Sequence, residues 1–149
     1  MNNKEYVKDL LRRIHTFEAE INDIDIRIEE LKDIEKIGPG SINYNKPFIS
    51  KIYKINSQTE NNAIKIVDKI ALLEFRKRQL QRMIKRINNA INSLPEPQKT
   101  IIDLRYMQNK QWYNILGEVK MHERHCRRLE SNALNIIYDI MFKDKKEVM

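Results

Sequence analysis

Apolar residues in the first part of the chain fall alternately three and four positions apart: Val7, Leu10, Ile14, Phe17, Ile21, Ile24, Ile28 and Leu31. That spacing returns to one side of a helix at every step and predicts an amphipathic helix over about 4–36 with a heptad seam. At about 1.5 Å per residue it runs roughly 40–45 Å. Ile26 and Ile34 lie off the seam and widen the stripe. The pattern resumes with Ala63, Ile66, Ile70, Leu73, Lys77, Leu80, Ile84, Ile87, Ile91 and Leu94, predicting a second helix over about 60–93. Lys77 sits on the seam, where a lysine restricts register or oligomeric state. Between them, over about 37–59, the period vanishes. Gly38-Pro39-Gly40-Ser41 breaks the helix, and Tyr44, Phe48 and Tyr53 are expected to fold this loop onto a helix. Two such helices predict an antiparallel, coiled-coil-like hairpin. Its remaining apolar positions, Phe75 and Met83 among them, are expected to recruit a second chain, giving a homodimer.

Leu94-Pro95-Glu96-Pro97 marks a boundary: Pro95 lacks an N–H and turns Leu94 away from helical backbone, while Glu96 suits the positive end of a new helix. Three short helices come after it. The first carries Ile101, Ile102, Leu104, Arg105 and Tyr106 and ends before Gln108-Asn109-Lys110. The second spans Trp112 to Val119, with Ile115 and Val119 facing inward. After Lys120-Met121-His122, a third runs from about Glu123 to Met141, with an inner stripe of Cys126, Leu129, Ala133, Ile136, Ile137 and Ile140. A short helix, a tight turn and a longer helix with a polar start is a helix-turn-helix layout. The expected fold class is therefore all-α, with a helical hairpin at 1–93 and a second domain at 94–149.

Composition supports this reading. A third of the residues are charged (33%), with only 3 Gly and 4 Pro in 149 residues, as long amphipathic helices require. One cysteine excludes a disulfide scaffold. Met1-Asn2-Asn3-Lys4-Glu5 opens no apolar leader and no run approaches a membrane span, so a cytoplasmic protein without membrane contact is expected. The net charge of +7 is uneven: residues 1–36 carry −3, residues 37–93 carry +8 and residues 94–149 carry +2. The middle surplus rests on Arg76, Lys77, Arg78, Arg82, Lys85 and Arg86, a positive surface suited to phosphate. The glycines at 38 and 40 have no Gly-Lys-Ser/Thr after them and make no nucleotide loop.

The stretch from Leu94 to Ile137 resembles the fourth region of bacterial sigma factors, which reads the promoter −35 element. Leu94-Pro95 matches the opening of that pattern and Leu104-Arg105-Tyr106 its first helix. Trp112 and Ile115 match the scaffold helix, and Arg127, Arg128, Ala133 and Leu134 the recognition helix. Over almost its full length the chain is similar to phage late-gene regulators of the ArpU/RinA type. The resemblance implies a sequence-specific DNA-binding transcription regulator, encoded in a phage or mobile element. It places Lys120, His122, Glu123, Arg124, His125, Arg127, Arg128 and Ser131 on double-stranded DNA, and makes RNA polymerase a further candidate partner. Arg124 and Arg128, one turn apart, can each offer a fork to guanine O6/N7; Lys120 and Arg127 suit phosphates. Two positions depart from the family. Lys120 stands where glycine is common, at a cost of about 1 kcal/mol if φ is positive there. His122 stands where Ser or Thr usually caps the helix. No counterpart of the DNA-melting sigma region is present.

Other chemistry finds little support in the residues. His122, His125 and Cys126 lack a fourth metal ligand, and Cys126 occupies a core position. Trp112 reads as a packing anchor and His15 as a surface residue. No carboxylates converge with a nucleophile, so neither an enzyme nor a cofactor is expected. Two other functions stay open: a small DNA-packaging (terminase) recognition subunit, and a sigma-like adaptor that binds RNA polymerase without reading DNA.

Overall fold

The computed structural model describes residues 2–37 and 59–143, with side chains from 65 onward in the second stretch. The loop expected at about 37–59, with its aromatic residues, and the side chain of Ala63 lie outside the described residues. Six α-helices and one π-helical turn make up the described chain, which is all-α: α1 (Asn3–Arg12), α2 (Ile14–Ile37), α3 (Thr59–Asn92), α4 (Glu96–Ile102), the π-turn (Asp103–Met107), α5 (Trp112–Val119) and α6 (Glu123–Phe142). Among them no helix is long and apolar enough to cross a membrane.

The first predicted helix is divided at Arg13. Its N–H is shared between the Asp9 and Leu10 carbonyls, at 3.1 and 3.2 Å, and the chain restarts at Ile14. Asn2 caps α1 by accepting from the Lys4 N–H at 2.9 Å. The chain forms two compact units, and the divisions between them fall inside α2 and α3 rather than at the Arg13 break or at 93/94. One consists of the described parts of Met1–Phe17 and Arg82–Met149, the other of Glu18–Gln81. Pro95 does end α3, through a turn at Ser93–Leu94, but α1 belongs to the same unit as the helices after Pro95.

In the first unit α6 packs against α4 and α1 and more lightly against α5, while the π-turn touches α1, α4 and α5. Val7 and Leu11 of α1, Ile87 and Ala90 of α3, Ile101 and Ile102 of α4, Ile115 of α5, and Cys126, Ala133 and Ile137 of α6 are fully buried. The buried face of α6 is turned from the expected one. Glu130, Leu134 and Met141 are buried, whereas Leu129 and Ile136 are only half-buried and Ile140 is 40% exposed. At about 100° per residue this is a rotation of roughly 60°. α1 covers one flank of α6: Tyr6 meets Phe142 edge-on with centroids 5.2 Å apart, and Lys4 Nζ reaches Ser131 Oγ at 2.5 Å. The Arg86 guanidinium donates to the Met141 carbonyl, placing a cation at the negative end of α6.

In the second unit Ile24, Ile28 and Leu80 are buried. Arg76 pairs with Glu20 at 3.2 Å, and Lys77 with Asp25 at 2.5 Å, joining α3 to α2. The off-pattern Lys77 thus meets an acid of the neighbouring helix. Val67, Leu72 and Phe75 of α3 and Ile26 of α2 remain exposed.

Candidate nucleic-acid interface

The candidate surface is built on α5, the turn at 120–122 and the first half of α6. Two local features set it. Lys120 ends α5 in left-handed backbone, φ 54° and ψ 38°, its N–H donating to the Leu116 carbonyl at 3.0 Å. This is the positive φ for which glycine is suited, so lysine bears the strain. His122 has extended backbone and caps α6: its Nδ1 accepts from the Arg124 N–H at 3.3 Å. Nδ1 can accept only when the ring carries its proton on Nε2, which leaves Nε2–H as a donor.

From this start, residues of α6 diverge in what they touch. Glu123 accepts from Arg127 Nε at 3.0 Å, and the Arg127 guanidinium lies 4.9 Å from the centre of the Trp112 ring. Arg105 lies 5.4 Å from the same ring and donates to the Lys110 carbonyl at 3.1 Å. The half-buried Trp112 ring thus has two guanidinium groups close to it, and Arg127 is paired with Glu123 beside it. Arg124 and Arg128, one turn apart, are exposed, and neither guanidinium has a hydrogen-bond or ion-pair partner among the described residues. Lys120 and His125 are exposed as well. Ser131 differs: it is half-buried, and its hydroxyl accepts from Lys4 of α1. The eight expected residues thus separate into an outward group (Lys120, His122, Arg124, His125, Arg128), a pair tied to the protein (Glu123 and Arg127), and one residue engaged by α1.

Behind the surface lies one buried polar contact. The Tyr106 hydroxyl donates to Glu130 Oε1 at 2.5 Å, and both residues are buried. Burial first, then the hydrogen bond and the Glu130 charge, pushes the Tyr106 phenol far above its ordinary range; Arg12 and Arg105 oppose this. Arg12 stands 5.9 Å from the Tyr106 ring centre. Cys126 lies in the core, and burial, with the Glu123 charge second, pushes its thiol up. Sequence reasoning missed Tyr113, which is 87% exposed on α5, two residues from the buried Ile115. The signal was available: two adjacent residues on a helix lie about 100° apart, so Trp112 and Tyr113 cannot both face inward.

Of the six cations that make the middle of the chain positive, three are committed to protein. Arg76 and Lys77 pair with α2, and Arg86 holds the end of α6. Arg78, Arg82 and Lys85 are exposed.

A family model described as "Protein of unknown function (DUF722)" matches residues 14–139, and the chain belongs to that family. No curated protein and no solved structure matches it.

Proposed function

We propose that this DUF722 member is a sequence-specific DNA-binding transcription regulator that presents the exposed edge of α6 to the major groove. The reading is carried by where two arginines stand. Arg124 and Arg128 lie one turn apart on an exposed edge at the start of α6, directly after the tight turn at Lys120, and neither guanidinium has a partner among the described residues. Arg78 and Arg82 of α3 are likewise exposed and one turn apart, but they follow no such turn. Two guanidinium forks about 6 Å apart along a helix suit guanine edges about two base-pair steps apart. Lys120, Tyr113 and the paired Arg127 are the donors assigned to phosphate, His122 and His125 to the groove's rim. The resemblance of Leu94–Ile137 to sigma region four, and of the chain to phage regulators of the ArpU/RinA type, points the same way and makes RNA polymerase a second candidate partner. A cytoplasmic homodimer belongs to the same proposal.

The test is binding of the full chain to duplexes drawn from a random pool at stated salt. A regulator enriches one sequence and loses affinity steeply as salt rises. An adaptor for polymerase captures polymerase and enriches none; a packaging subunit sediments as a ring of many chains.

A further inference from the structure

The outward side of α3 within the second unit repeats the three–four spacing of the buried side. Asp68, Ala71, Phe75 and Arg78 are separated by three, four and three positions in turn and share one face, flanked by Val67 and Leu72. All six are exposed or half-exposed, Val67 to 53%, Leu72 to 69% and Phe75 to 50%. Such a stripe on a charged helix marks a surface that meets something. Asp68 and Arg78, at its two ends, have no ion-pair partner among the described residues.

We infer that this face binds the same face of a second copy, with the two α3 helices antiparallel about a two-fold axis level with residue 73. The order of the residues chooses both the occupant and the direction. About that axis Asp68 lies opposite the partner's Arg78, and Ala71 opposite the partner's Phe75. Symmetry repeats both pairs, so each end of the stripe carries an opposite-charge pair and the centre carries two small-against-large apolar pairs. In the parallel arrangement Asp68 would face the partner's Asp68 and Arg78 the partner's Arg78, which repel. Only the antiparallel pairing of two identical helices satisfies the charges and fills the gap beside each Ala71 with a ring. The pairing specifies the homodimer of the proposed function and rests on that part of the reading, but not on DNA reading by α6.

Light scattering and sedimentation equilibrium of the full chain test it, with far-UV circular dichroism to confirm unchanged helicity at these positions. Wild type is expected to be a dimer at micromolar concentration. Phe75→Glu, Asp68→Arg and Arg78→Asp are each expected to raise the dimer dissociation constant at least tenfold. Asp68→Arg combined with Arg78→Asp restores dimerisation, because the reversed charges again face each other. A monomeric wild type overturns the proposal. Dimerisation unaffected by Phe75→Glu, or a double variant no better than the singles, overturns it equally.

Discussion

Tyr106 and Glu130 form a buried hydrogen bond of 2.5 Å that ties the π-turn before α5 to the middle of α6. Neither residue is more than 8% exposed, so a lost partner cannot be replaced by bulk water without opening the core. Tyr106→Phe keeps the ring and removes only the donor. It should cost about 1.5–3 kcal/mol, the range for a hydrogen bond to a charged group. Urea unfolding checks this: the midpoint falls while the slope stays constant. An unchanged midpoint would show that Glu130 finds another donor.

The same contact predicts a dependence on alkaline pH. The folded protein holds the Tyr106 proton more tightly than the unfolded chain, whose phenol titrates near the ordinary 10.0. The stabilisation is therefore complete below pH 10 and is lost as pH rises beyond it. Wild type should lose its advantage over Tyr106→Phe when melting is followed from pH 9 to pH 12. A constant gap between the two would contradict the assignment.

Lys120 is expected to be replaceable with gain. Its left-handed backbone suits glycine, so Lys120→Gly should raise stability by about 1 kcal/mol, reduced by the greater freedom of glycine in the unfolded chain. Thermal melting reads the change. Lys120→Ala, which keeps the strain, should show no gain. Asn109, also at φ 54°, is the residue type that tolerates this backbone and offers no such improvement.

The extent of α5 and the start of α6 were legible because their punctuation is local. Trp112–Val119 is as expected, and α6 begins at Glu123 and runs one residue past the expected end. The strain at Lys120 came from one departure from a glycine-bearing pattern. What the residues could not convey was tertiary. Heptad spacing shows that Val7 to Leu31 is helical, but not that the helix breaks at Arg13, nor that Val7, Leu10 and Leu11 serve the other unit. The apolar Leu11, off the seam, was the available hint, and it is fully buried in that unit. The facing of α6 was misread for a related reason. An inner stripe drawn through apolar residues omits Glu130, whose burial depends on a tyrosine twenty-four positions earlier. Ser131 resembled an outward residue until Lys4 of α1 met it.

Arg127 should behave as a phosphate contact held ready by its neighbours. Glu123 and Trp112 fix its guanidinium, so little freedom is lost on binding. Arg127→Ala is expected to weaken binding to matched and mismatched duplexes alike, and to lower the salt slope by about 1. A loss confined to one sequence would assign it to bases instead.

The most direct measurement is selection of duplexes from a random pool by the full chain, repeated with Arg128→Ala at the same salt. Wild type should enrich one sequence, and Arg128→Ala should bind it about 1–3 kcal/mol more weakly and accept substitutions at the base pair that Arg128 reads. Enrichment of no sequence by wild type, or identical affinities of the two proteins for every duplex, would contradict DNA reading by α6.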